Sequence, residues 1–102
     1  MYIHGMLIDG VQWDDGNRDK CEKHGVSLAE IEFVLMSATL MVLPDPFPDE
    51  ARLRGVGKTA EGRYVFLVWT ERQSGGLNLL RPISARYMHR KEIEHYERSQ
   101  NS

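Results

Sequence analysis

Polar side chains recur at every second position near the ends of three segments in the second half of the chain. The pairs are Arg52 and Arg54, Thr70 and Arg72, and Ser84 and Arg86. Side chains two residues apart on a β-strand point to the same face, so each pair would present its polar groups together. If the three segments are adjacent strands, the pairs can gather on one face of a sheet. A guanidinium group keeps its charge and matches the oxygens of phosphate, which makes phosphate binding the chemistry that this cluster could support.

The same arginines have a simpler explanation. Arginines at strand ends can be solvated, and Glu50, Glu71 and Glu92 are available to pair with them. In that case each guanidinium group would neutralise its own carboxylate, and no shared anion site would exist. The spacing by itself favours neither explanation.

Sequence motifs for other kinds of chemistry are absent. The chain has no glycine-rich phosphate loop and no paired Cys/His spacing typical of zinc. His24, between Lys23 and Gly25, is the most suggestive of four scattered histidines, although a cation there would also stabilise the C-terminus of a helix. A single cysteine such as Cys21 is more often a small buried residue than a nucleophile. The residues therefore indicate no metal ion and no cofactor.

Length and composition predict one domain over residues 1–102, with a hydrophobic content of 41% that suffices for a packed core. The formal net charge of −2 does not suggest a general polyanion binder, so any nucleic-acid site has to be a local basic patch. The single cysteine excludes an internal disulfide and fits a reducing cytoplasm. Residues 1–10 do not form a convincing signal peptide, and no apolar stretch is long enough to span a bilayer. We therefore expect a cytoplasmic protein.

The first half of the chain is predicted to be mainly helical. A short strand within 6–13 is followed by turn residues and by a polar helix over about 18–24, which Gly25 ends. Ser27 and Glu30 form a capping box, and the apolar spacing behind them predicts an amphipathic helix over 28–37. Residues 39–43 are strand-like, and the prolines of 44–49 predict a stiff loop.

The second half is predicted to form three strands, over about 50–57, 63–72 and 77–86, and a helix over 88–98. The segment from Tyr64 to Thr70 is apolar on both faces, which is typical of a central strand, and Pro82 indicates an edge or a bulge. Trp69 is expected to be buried, and four further side chains are expected in or near the core: Leu28, Ile31, Phe66 and Val68. The predicted fold class is α+β, a small antiparallel sheet with helices packed on one face.

A set of short motifs occurs in a fixed order along nearly the whole chain. They are Trp13-Asp14, the segment from Lys23 to Ser27, Glu50 with Arg52, Gly62-Arg63, Thr70 with Arg72, the segment from Ile83 to Arg86, and Glu92 with Tyr96. No single motif is specific, but the ordered set resembles the BrnT family, the toxin half of a bacterial toxin–antitoxin pair. The chain departs from the family in a Trp13–His24 segment one residue shorter than usual and in Arg81-Pro82 within the last strand.

The resemblance implies a RelE/ParE-like fold and an endoribonuclease that halts translation without a metal ion or cofactor. It also implies a ribbon-helix-helix antitoxin, similar to BrnA, as partner. RNA would be the substrate, DNA would be contacted only through the antitoxin, and no membrane would be involved. Two alternatives remain open: a non-catalytic relative that binds its antitoxin as a co-repressor, and a protein-binding domain of the same fold.

The resemblance also suggests roles for particular residues. RNA cleavage by the 2′-hydroxyl needs a base, cations on the phosphorane and an acid for the leaving oxygen. Three arginines, Arg52, Arg72 and Arg86, are the candidate phosphate ligands. Thr70 and Ser84 are expected to contact the RNA beside them. The candidate proton-transfer groups are Lys23, His24 and Glu50.

Overall fold

The computed structural model of the protein describes residues 2–3, 6–44 and 51–100. Glu50 and most of the proline-rich segment predicted to be a stiff loop lie outside the described residues. The helices are α1 (Asp15–Glu22), α2 (Leu28–Leu35) and α3 (Arg90–Gln100). The strands are β1 (Tyr2–Ile3), β2 (Met6–Leu7), β3 (Gly10–Val11), β4 (Met41–Val42), β5 (Arg52–Lys58), β6 (Tyr64–Ser74) and β7 (Leu77–Tyr87).

The main sheet has five strands in the order β3-β7-β6-β5-β4, and β1 pairs with β2 in a separate hairpin. The three long strands β5, β6 and β7 pair antiparallel, as the sequence predicts. The prediction of a purely antiparallel sheet is wrong, because β3 runs parallel to β7. Asp9 and Asn78 exchange two hydrogen bonds of 2.8 Å at this junction. Strands so far apart in sequence pair without a local turn signal, so the sequence pattern does not predict this pairing.

The core lies between one face of the sheet and the helices α1 and α2. Alternate residues of β6 point into it, and Trp69 is fully buried, as predicted. Ile31 is buried as well, and Leu28 packs against the cluster while remaining partly exposed. The placement of Phe66 and Val68 in this core is wrong: they alternate with Trp69 along β6 and are half-buried on the opposite face. The apolar character of a strand residue does not show which face of the sheet is covered by a helix.

Helix α1 begins at Asp15, three residues earlier than the sequence predicts, because Asp14 and Asn17 form a capping box. The buried side-chain amide of Asn17 also donates to the carbonyl oxygens of Gln12 and Pro82, at 2.9 and 3.0 Å. Pro82 lies at the bulge predicted for β7, where Val68 pairs with Ser84 and Trp69 with Pro82. Asn17 therefore replaces a neighbouring strand at the outer edge of β7 and fixes α1 there.

Helix α2 begins at the predicted capping box of Ser27 and Glu30. Its position on the core face is secured by two side-chain contacts to carboxylates. Tyr87 at the end of β7 donates its hydroxyl to Glu30 Oε1 at 2.7 Å, and Trp13 Nε1 donates to Glu32 at 2.6 Å. The hydrogen bonds from Ser27 and Tyr87 lower the pKa of Glu30, so this carboxylate is stabilised in its charged form.

Helix α3 lies against the other face of the sheet. Its Tyr96 ring meets Tyr64 edge to face, with centroids 5.8 Å apart, and Tyr64 donates its hydroxyl to Glu97 at 3.1 Å. Since Tyr64 points away from the core, the prediction that all helices pack on one face is wrong for α3. No residue of α3 is fully buried. In the described parts of the chain, no helix is long and apolar enough to cross a membrane.

Gly55 of β5 accommodates the buried ring of Trp69. A Cβ atom at Gly55 would lie 2.7 Å from Trp69 Cη2 and 3.1 Å from the carbonyl oxygen of Met41. We expect Gly55→Ala to lower the free energy of unfolding by about 1–3 kcal/mol, because the indole has no free space to move into. A urea titration followed by tryptophan fluorescence measures the loss.

The matched control is Gly10→Ala in β3. Its new Cβ would meet only Leu79 Cδ2, at an ordinary contact distance of 3.8 Å. We expect a clearly smaller change for this variant. Equal losses for the two variants would show that the approach of Trp69 to Gly55 does not limit the packing.

Candidate functional site

The open face of the sheet, defined as the face opposite the core, carries positive charge along its whole length. Cross-strand partners share a face, so every second side chain of β6, starting at Tyr64 and ending at Arg72, forms a row with its partners on β5 and β7. Taken row by row from Tyr64, the cationic side chains are Lys58, Arg86, Arg54, the pair Arg52 and Arg81, and Arg72. Consecutive rows are about 7 Å apart. Every row therefore contains at least one cationic side chain.

Arg86 is already occupied by a carboxylate. Its two terminal nitrogens donate to Glu92 of α3 at 2.7 and 2.8 Å, and its guanidinium carbon lies 5.0 Å from the Phe66 ring centroid. Glu92 also accepts a hydrogen bond from the backbone N–H of His89 at 3.0 Å. The fork of Arg86 and this N–H lower the pKa of Glu92 to about 2. A phosphate that binds Arg86 has to displace a strongly held carboxylate.

Arg81 pairs with Asp14, the residue that caps α1. The two terminal guanidinium nitrogens of Arg81 both donate to the carboxylate of Asp14, and the longer of the two contacts is 3.3 Å. This pairing is the main reason why the pKa of Asp14 is lowered, followed by the hydrogen bond from the Asn17 backbone. The pair therefore fixes the orientation of the Arg81 guanidinium group and joins α1 to β7.

A cleft of about 290 Å³ lies where the start of α1 meets the row of Arg52 and Arg81. Its lining residues are Gly16, Asn17, Lys20, Arg52, Arg81, Pro82 and Ile83. Three of them are cationic, and they come from α1, β5 and β7. Among the described residues, neither Lys20 nor Arg52 forms an ion pair. Cationic side chains that remain unpaired beside a cleft are suited to hold an anion.

Thr70 lies in register between the two arginines of this row, Arg52 on β5 and Arg81 on β7. Its hydroxyl oxygen is buried and has no hydrogen-bond partner among the described residues. A buried hydroxyl without a partner costs about 1–3 kcal/mol. Such a group is a candidate donor for an anion that enters between the arginines.

The structure brings some of the predicted site residues together and separates others. Arg52 and Thr70 are direct cross-strand partners, and Ser84 lies opposite Val68 in the next row. Arg72 and Arg86 do not converge, since Arg86 pairs with Phe66 and the two rows are six residues, or about 20 Å, apart along β6. The predicted arginine cluster is therefore an elongated track and not a compact pocket.

Lys23 and His24 are exposed in the turn that follows α1. Lys23 is the C-cap of α1 and keeps helical backbone angles, so it lies about one turn beyond Lys20 on the same side of the helix. His24 follows outside the helix. Glu50 lies outside the described residues, two positions before Arg52. The described residues contain no group of three or more His, Cys, Asp or Glu side chains that could hold a metal ion.

Sequence reasoning missed Lys20, Arg81 and Asp14 as members of the site. In the sequence, Arg81 stands out only as part of an irregular strand, and Lys20 lies among ordinary charged helix residues. The pairing of Asp14 with Arg81 spans 67 positions. No local spacing indicates a contact between residues so far apart, although the Trp13-Asp14 motif marks one of the two partners.

The fold and its cationic face define a class of protein: a small α+β protein whose sheet has a helix-covered side and an open side suited to a polyanion. A family model described as the BrnT ribonuclease toxin of type II toxin–antitoxin systems matches residues 13–92. The chain therefore belongs to the BrnT toxin family, as its motifs suggest. An antitoxin partner is part of such a system.

Among solved structures, the chain is similar to the crystal structure of the ribonuclease toxin BrnT of Brucella abortus. The two sequences are 24% identical, the match covers 79% of this chain and 97% of the other, and the TM-score is 0.56. This likeness supports the fold. No curated protein sequence matches the chain.

The low pKa of Glu92 makes the contribution of its ion pair depend on pH. A carboxylate whose pKa falls to about 2 on folding stabilises the folded state fully above its ordinary pKa of 4.5. That contribution is lost as the pH falls from 4.5 to about 2. We expect the stability difference between the native protein and Glu92→Gln to be about 1 kcal/mol or less at neutral pH, because the pair is partly exposed, and to vanish towards pH 2.

Urea titrations from pH 2 to pH 7 measure this difference. Glu94→Gln, which removes a carboxylate from the same helix beside the exposed Arg90, controls for the change in net charge. A difference for Glu92→Gln that stays constant across the acid range would contradict the role assigned to Arg86.

Proposed function

We propose that this chain is a metal-independent endoribonuclease toxin that cuts RNA on the open face of the sheet and thereby blocks translation. The observation that carries the proposal is the presence of a cationic side chain in every row of that face. Membership of the BrnT family supplies the class of activity. We also propose that the fold is related to that of RelE and ParE toxins.

The reaction that fits these residues is attack of the ribose 2′-oxygen on the neighbouring phosphorus. The 2′-hydroxyl loses its proton to a base, the bond to the 5′-oxygen breaks, and an acid gives that oxygen a proton. The products are a 2′,3′-cyclic phosphate and a 5′-hydroxyl end, so the proton count balances without a metal ion. The side chains Lys23, His24 and Glu50 are the candidates for the two proton transfers.

The arginines stabilise the charge that develops on the phosphorane. Arg52 is the first candidate because no described carboxylate occupies it and Thr70 is its cross-strand partner. Arg72 adds a cation in the row on one side of Thr70. Ser84 offers a hydroxyl in the row on the other side, opposite Val68. Arg86 can bind a phosphate only after it leaves Glu92. Since it lies two rows away from Thr70, it would contact a part of the RNA distant from Arg52.

The partner in this proposal is a ribbon-helix-helix antitoxin similar to BrnA, and DNA is contacted only through it. A net charge of −2 combined with a cationic open face favours an antitoxin of basic or mixed charge. The pair would act in the cytoplasm, where the single cysteine, Cys21, remains reduced.

Removing the guanidinium group of Arg52 tests the cleavage site. We expect Arg52→Gln to slow RNA cleavage about 100-fold or more, because a charge that stabilises the phosphorane is lost, while the circular dichroism spectrum stays unchanged. Arg98→Gln, which removes an exposed arginine from α3, is the matched control and should cleave normally. The assay uses purified proteins in excess EDTA, together with growth arrest on induction.

Two results would contradict the proposal. Undiminished cleavage by Arg52→Gln would remove Arg52 from the site, and cleavage by the native protein that stops in EDTA would refute metal independence. A native protein that never cleaves RNA would favour the co-repressor alternative. The bidentate pairing of Arg86 with Glu92 fits that alternative, because it leaves a phosphate ligand neutralised.

Binding of the antitoxin is a separate prediction. We expect the isolated chain to be monomeric or weakly associating and to form a tight complex when it is produced together with the ribbon-helix-helix protein encoded beside it. Size-exclusion chromatography at micromolar concentration should give one joint peak. Two separate peaks would argue against the partner class, and absence of such a neighbouring gene would favour a protein-binding role without a toxin function.

A further inference from the structure

We propose that the cleft beside α1 is a binding subsite for the nucleotide unit of RNA that carries the phosphate at the cut bond, with this phosphate held by Lys20, Arg52 and Arg81. The inference rests on the proposed function, since it assigns part of the same open face. It adds two residues, Lys20 and Arg81, and one structural element, α1, to those that the proposed function names.

The charges at the cleft are the first argument. Lys20, Arg52 and Arg81 come from three different elements and line one cleft. Among the described residues, the only carboxylate that pairs with any of them is Asp14, on Arg81. At least two positive charges therefore remain uncompensated within the same cleft. Like charges held close together repel, and an anion between them removes that penalty.

The fixed position of Arg81 is the second argument. Asp14 binds both terminal nitrogens of Arg81 on one side and caps α1 on the other. The guanidinium group is therefore oriented before any ligand arrives. Orientation in advance reduces the entropy lost on binding, which distinguishes this arginine from a freely moving side chain at the surface.

The unpartnered hydroxyl of Thr70 is the third argument. Thr70 stands between Arg52 and Arg81 in the register of the sheet, and its buried oxygen has no hydrogen-bond partner among the described residues. A phosphate oxygen that enters between the two arginines and reaches this hydroxyl could accept a hydrogen bond from it. The same anion would then satisfy three of the groups at this row.

The size and walls of the cleft are suited to more than a free phosphate ion. Its volume of about 290 Å³ exceeds what one phosphate needs, and Pro82 and Ile83 add an apolar part to its wall. A ribose or a base can pack against such a wall while its phosphate meets the charges. Arg52 lines the cleft and also belongs to a row of the open face, so the cleft adjoins the track of cations.

Binding of RNA that cannot be cut separates this subsite from catalysis. A mixed-sequence single strand with 2′-O-methyl groups at every ribose lacks the attacking hydroxyl, and fluorescence anisotropy of a labelled strand reports its affinity. For Lys20→Gln in the full chain we expect about tenfold weaker binding at moderate salt. The slope of the logarithm of the binding constant against the logarithm of the salt concentration should become shallower by about 0.7, the value for one lost phosphate contact.

Arg18→Gln is the matched control. Arg18 is on the same helix and is also exposed, but it lies on the flank of α1 away from Gly16 and Lys20. It removes one positive charge without touching the cleft, so its slope should stay close to that of the native protein. Lys20→Arg keeps the charge and should preserve the native slope. Equal effects of Lys20→Gln and Arg18→Gln would overturn the subsite.

A double variant tests whether Lys20 and Arg52 hold the same phosphate. If they do, the affinity lost by Lys20→Gln with Arg52→Gln should be clearly smaller than the product of the two single losses. Independent losses that multiply would overturn the shared phosphate. Circular dichroism should show the native fold for all variants, because both side chains are exposed.

The outcomes for cleavage and for binding are distinguishable. A native protein that binds the methylated RNA through Lys20 but leaves unmodified RNA intact would refute the proposed function and retain the subsite. A native protein that cleaves RNA while Lys20→Gln binds like Arg18→Gln would retain the proposed function and overturn the subsite. Absence of binding by the native protein would overturn the subsite as well.

Discussion

The contact that the rest of the structure depends on is the attachment of α1 to the bulged edge of β7. Asp14 caps the helix and at the same time binds Arg81, and Asn17 donates to the carbonyl oxygen of Pro82. This attachment replaces a missing strand neighbour with a helix. It lets Cys21 enter the core while the preceding residue, Lys20, lines the cleft. A single helix thus completes the core and forms one wall of the candidate site.

The division of the sheet into two unlike faces follows from the alternation of side chains along β6. Val65, Leu67 and Trp69 are buried against α1 and α2. The residues between them stay half-exposed because α3 covers only the end of the open face near Tyr64. Cations from β5 and β7 can therefore accumulate on that face without entering the core, in a chain whose formal net charge is −2.

The arginines of the open face are not equivalent, and the difference arises from their neighbours. Arg86 and Arg81 are held by Glu92 and Asp14, whereas Arg52 has no such partner among the described residues. A paired arginine is oriented but partly neutralised, and an unpaired one keeps its full charge at the cost of repulsion from its neighbours. An anion that binds at the row of Arg52 and Arg81 meets both kinds at once.

The sequence by itself determined the elements and the family. The capping box at Ser27 and Glu30, the bulge at Pro82, the three long strands and the burial of Trp69 all follow from local chemistry, which acts over a few residues. The tertiary structure alone decided which strands and side chains meet across long stretches of chain. The parallel pairing of β3 with β7, the position of Phe66 on the open face and the contact of Asp14 with Arg81 each depend on which element covers a given face or edge. No periodicity in a single chain encodes that choice, because it is made by packing between distant segments.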